Sequence, residues 1–94
     1  VAYEPTPVDL RAAALLSTLK REGKIGGPLS FDHHRLLKAA RESAPVDAFE
    51  VVEHAIGLVG HSGGFADEGD EERMRILLLD AHGRVLASRD AEAS

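Results

Sequence analysis

The sequence predicts an α+β fold: three helices packed on a small antiparallel sheet that closes with a C-terminal β-hairpin. Three upstream segments repeat apolar residues at helical spacing between N-cap residues and Gly or Pro stops. Downstream, Arg73–Ser88 (RMRILLLDAHGRVLAS) places two β-prone runs on either side of a polar turn. A lone two-stranded hairpin is marginal in water, so helices, a third strand or a second chain must cover this one. At 94 residues, with neither a repeat nor a composition break, the chain reads as a single domain, residues 1–94.

Val1–Pro5 is a short lead. Thr6 is placed as an N-cap, with Pro7 at the first helical position and Asp9 three residues after the cap. Val8, Ala12, Leu15, Leu16 and Leu19 form the apolar stripe of helix one, and Gly23 ends it beside Lys20 and Arg21. Lys24–Leu29 (KIGGPL) is too rich in Gly and Pro for a helix, though Ile25 could make a short edge strand. Ser30 is the expected cap of helix two, which buries Leu36, Leu37 and Ala40, with His33 on the same side. Pro45 ends it.

Asp47 and Glu50 then spell a capping box, with Val46 able to staple to Val51. Helix three runs from Ala48 to about Ile56. Phe49, Val52, Ala55, Ile56 and Val59 are expected to face the core, while Glu50, Glu53 and His54 form an outer stripe. His61–Glu72 is a loop by composition, anchored by Phe65, and Asp90–Ser94 is a polar tail. In the hairpin, Asp80 and Gly83 suit the first and last positions of a type I turn. That register pairs Leu79 with Val85, Leu78 with Leu86 and Leu77 with Ala87. One face then carries Met74, Ile76, Leu78 and Leu86, and the other Arg75, Leu77, Leu79, Val85 and Ala87.

Three helices, Gly57-Leu58-Val59, a polar loop, Asp70-x-x-Arg73, a β-run and His82-Gly83-Arg84 follow one another in this chain. That succession resembles the winged-helix domains of MarR-type bacterial transcription regulators, over roughly Ala12–Arg84. The resemblance implies a Gly-Leu-Val opening the first wing strand, an acid–arginine pair near the wing tip, and DNA reading through the third helix. Here that helix carries Asp47, Glu50 and Glu53, where a major-groove reader needs Arg, Lys, Asn or Gln, and the wing loop is acidic. His61 follows where the family has a lysine or arginine, and Leu79-Asp80 replaces Leu-Thr.

The net charge of −5 argues against sequence-independent affinity for a polyanion. With no cysteine, disulfides and thiolate metal sites are excluded. No apolar run is long enough to span a bilayer and no signal peptide opens the chain, so the expected compartment is the cytoplasm. Five histidines (His33, His34, His54, His61 and His82) are the only chemically suggestive excess. Glu50 and His54 have the i, i+4 spacing of a metal-ligand seed, but an exposed carboxylate–imidazole pair is the commoner outcome. Asp32, His33 and His34 cannot converge on one atom, because adjacent helical residues point about 100° apart. Ser62 beside His61 is the one serine placed for nucleophilic chemistry, and the glycines around it mark a connector more than a phosphate cradle.

Arg35, Lys38 and Arg41 recur along helix two. With Lys20, Arg21 and Lys24 from the end of helix one, they make a basic ridge, the candidate partner-binding surface. The leading expectation is a non-enzymatic domain acting by protein–protein contact or homodimerisation, with no catalytic, cofactor or metal residues assigned. A winged-helix DNA-binding regulator using helix two comes second, and a histidine-based metal protein third.

Overall fold

A computed structural model describes residues 6–26, 32–61 and 68–86. Among these residues there are four helices and no strand: α1 (Pro7–Arg21), α2 (His33–Glu42), α3 (Ala48–His61) and α4 (Glu68–Val85). The α+β sheet, its C-terminal hairpin and the winged-helix architecture are therefore corrected to an all-helical bundle. The expected lead, the Ser30 cap, Phe65 and the polar tail lie outside the described residues.

The termini of α1 follow the sequence. Thr6 Oγ1 accepts the Asp9 N–H at 3.3 Å while Asp9 Oδ2 accepts the Thr6 N–H at 3.0 Å, a reciprocal capping box. At the other end Gly23 adopts φ +74°, a left-handed conformation that suits glycine. The Gly23 N–H then reaches the Lys20 carbonyl and the Lys24 N–H reaches that of Leu19 at 2.9 Å, closing a Schellman motif. Between the caps, Arg11, Ala12, Ala14, Leu15, Ser17, Thr18 and Leu19 are all buried. At about 100° per residue they cover more than half of the helix circumference. A helix buried so widely needs neighbours on several sides, and α2, α3 and α4 all pack on α1.

Helix α2 starts two residues later than Ser30 would place it. Asp32 is its N-cap, accepting the Arg35 N–H at 3.2 Å. Contacts at both ends set it antiparallel to α1, with Ser17 meeting His33 and Arg11 meeting the Ser43 carbonyl. Ser43 closes the helix, its Oγ donating to the Ala40 carbonyl, just ahead of Pro45. Asp47 then accepts the Phe49 N–H at 2.8 Å and starts α3, which buries Val51, Val52, Ala55 and Ile56. Two expectations fail in α3. Phe49 faces outward at 66% exposure, and Gly57-Leu58-Val59 continues the helix instead of opening a strand.

The large correction is α4. Met74, Leu77, Leu78, Ala81 and Val85 recur at i, i+3, i+4, i+7 and i+11, a helical stripe as regular as any upstream. As a hairpin, the segment would be apolar on both faces and need cover on both. As a helix it buries Leu78, Ala81 and His82 on one side and leaves only Ile76 as a large exposed apolar side chain. Charges reinforce this: Arg75 donates to Glu72 and Arg84 to Asp80, i, i+3 and i, i+4 pairs that a strand cannot form. Asp80 thus holds a helical arginine instead of starting a turn. Gly83 sits in the last turn with open space where a Cβ would be, so no close packing requires glycine there. No helix among the described residues is long and apolar enough to cross a membrane.

The helix and the hairpin separate in one mutant pair. Leu78→Ala should cost about 2–5 kcal/mol, and Ile76→Ala no more than about 0.5 kcal/mol, by urea denaturation. Strand alternation would put both residues on one face and give them similar costs.

Candidate functional site

The lysine and arginine side chains of the ridge extend from α1, α2 and the turn after α1, and they differ in what they touch. Arg35 and Lys38 stay on the outer face of α2, exposed and without an ion pair to a described residue. Arg41 turns aside: its Nε donates to the Val85 carbonyl at 2.9 Å, capping the end of α4 with a cation. Lys24 pairs with Glu22 at 3.4 Å. Lys20 points into an apolar groove, and Arg21 lies at the end of α1 near His33. Of the six, Arg41 and Lys24 are engaged by groups of the domain itself, whereas Arg35 and Lys38 are not.

The polar contacts that do assemble join helices. Ser17 Oγ and His33 Nδ1 are 2.9 Å apart, and Ser17 is only 4% exposed. Burial chiefly, then the nearby Arg21 and Arg41 guanidiniums, holds the His33 pKa below its ordinary 6.5, while Asp32 pulls the other way. His54, spaced for Glu50 in the sequence, lies instead against Asp9, with Nε2 2.6 Å from Oδ1. Asp9 thus caps α1 with one oxygen and holds α3 with the other. Arg84 grips Glu22 with two nitrogens, at 2.6 and 2.9 Å, and that guanidinium draws the Glu22 carboxyl down to about 2.

Sequence reasoning found His33 on the buried side of α2 but not its partner. Ser17 carried one usable signal: a hydroxyl on a buried face needs a hydrogen-bond partner, and α2 supplies the nearest. Asp32 caps α2 and His33 meets α1, while the exposed His34 ring stands edge-on to that of His33 with centroids 5.5 Å apart. Among the described residues no three of His, Asp and Glu come together as a metal site. Ser62, beside His61, lies outside the described residues.

A second feature is the seam between α3 and α4. Arg75 Nε donates to Glu53 at 3.0 Å, joining the two helices at the surface. Phe49 on α3 and Ile76 on α4 are the most exposed large apolar side chains of these two helices (66% and 65%). No family model, curated protein or solved structure matches the chain.

The Ser17–His33 contact has a pH signature. Folded His33 binds a proton less readily than the unfolded chain does, so stability rises with pH in the window below 6.5. Urea midpoints measured at pH 7.5 and 5.5 should fall on acidification in the wild type and fall less in His33→Asn. Equal pH sensitivity in the two proteins would show that His33 carries none of it.

Proposed function

We propose that this domain is a non-enzymatic helical module that works by self-association through the α3–α4 seam. The observation that supports the reading is that Phe49 of α3 and Ile76 of α4 both face outward, on the two helices that the Glu53–Arg75 link joins. Fully burying an exposed Phe or Ile side chain is worth roughly 1.5–3 kcal/mol each, a useful core for an interface. Glu50, Glu53 and Glu72 lie close in sequence or contact to Arg73 and Arg75, so the seam offers both signs of charge. A surface of mixed sign can be complementary to itself across a two-fold axis.

Chemistry at Ser17 is disfavoured by its position. Its hydroxyl is partnered with a histidine, but the residue is covered by packed helices and is not presented to a substrate. The cation pair Arg35 and Lys38 supports a second, separate reading, the docking of an acidic protein partner on α2. That contact would weaken steeply with salt, whereas the seam dimer would not.

Sedimentation velocity at high micromolar concentration should give a dimer for the wild type and a monomer for Phe49→Ser/Ile76→Ser. Both positions are exposed, so the double variant should keep its helical circular dichroism. A wild type that remains monomeric, or a variant that still dimerises, would refute the reading.

A further inference from the structure

Between α1, the end of α3 and the start of α4 lies a half-open groove of about 520 Å³. Its walls are Leu16, Ile25, Leu58, Val59 and Met74, and the one charged side chain among its described lining residues is Lys20. Leu58 is 45% exposed, unusual for a leucine beside a core, because it faces this space and not a neighbouring helix. The Lys20 side chain makes no hydrogen bond or ion pair with a described residue, although the other lysine of this corner, Lys24, does. The volume falls within the roughly 300–1,000 Å³ of small-molecule sites, which are mostly apolar with a few placed polar groups.

We propose that this groove binds a medium-chain aliphatic carboxylate, its hydrocarbon tail along the five apolar side chains and its carboxylate on the Lys20 ammonium. Charge complementarity selects the head group. One cation among the apolar walls favours a single anionic end, and a neutral or cationic amphiphile leaves Lys20 without a partner. The apolar walls select the tail, since burial of each methylene adds affinity. This site is separate from the α3–α4 seam: no groove residue named here is Phe49, Glu53, Arg75 or Ile76.

Met74 is the sole methionine of the chain and lines the groove, so its methyl NMR signal reports occupancy directly. Titration of the full chain with decanoate should shift that signal saturably. Decanoate should bind more tightly than octanoate or hexanoate, by about fourfold per methylene. Lys20→Gln should weaken decanoate about fivefold while leaving decanol unchanged. Leu58→Glu, at an exposed position that tolerates a polar residue, should abolish the shift with the fold intact by circular dichroism. No saturable shift, equal binding of decanoate and decanol, or an unchanged affinity in Lys20→Gln would each overturn the proposal. So would a Met74 shift that follows protein concentration alone, which would mean that a second copy fills the groove.

Discussion

One helix has to be enclosed on three sides for the rest of this structure to stand. Helix α1 buries residues at 11, 12, 14, 15, 17, 18 and 19, and no single partner can cover so wide an arc. Its small residues are what make the enclosure possible. Ala12 and Ala14 are fully buried, and Ser17 and Thr18 nearly so, which lets neighbouring backbones come close while Leu15 and Leu19 fill the spaces between. Thr18 turns its own hydroxyl back to the Ala14 carbonyl at 2.8 Å, so it enters the core without a polar debt.

The helices are then tied at their ends by a repeated device. Arg11 of α1 donates to the Ser43 carbonyl at the end of α2. Arg41 of α2 donates to the Val85 carbonyl at the end of α4. Arg84 of α4 grips Glu22, the residue that caps α1. Each guanidinium sits where the carbonyls and dipole of another helix leave negative charge, and the three links close a ring through α1, α2 and α4. Two of the three arginines are surface-exposed, so the ring fixes geometry more than it adds stability. Two cations of the basic ridge take part in these links: Arg41 belongs to the ring, and Lys24 pairs with Glu22, the same carboxylate that Arg84 holds.

What the sequence disclosed was local. Thr6, Asp9 and Gly23 mark α1, Asp47 starts α3 and Pro45 separates α2 from it, because caps and breakers act within a few residues. The misreading of α4 has a physical cause. Leu77-Leu78-Leu79 is an unbroken apolar run that satisfies period 2 and period 3.6 alike, and Asp80 with Gly83 imitates a turn. The decision between them is tertiary: a helix offers one apolar stripe to α1 and α3, whereas a hairpin offers two faces and has cover for neither. The contacts of the basic residues were hidden for a related reason. Periodicity places Arg35, Lys38 and Arg41 on adjacent turns, but it does not say which of them another helix will recruit. Phe49 was misplaced because its position in the first turn of α3 looked inward by spacing, although α3 meets α1 and α4 through Val51, Val52, Ala55 and Ile56.

Function follows from what the enclosure leaves outside. Among the described residues, the features left outside that enclosure include the exposed Phe49 and Ile76, the groove beside Lys20 and the cations of α2. Helix α1 is the most enclosed of the described helices, and amide hydrogen exchange measures that directly. The Leu15, Thr18 and Leu19 amides should exchange only through global unfolding, with the same free energy and denaturant dependence as the whole domain. Exchange of those amides by local opening, while α3 and α4 stay protected, would contradict it.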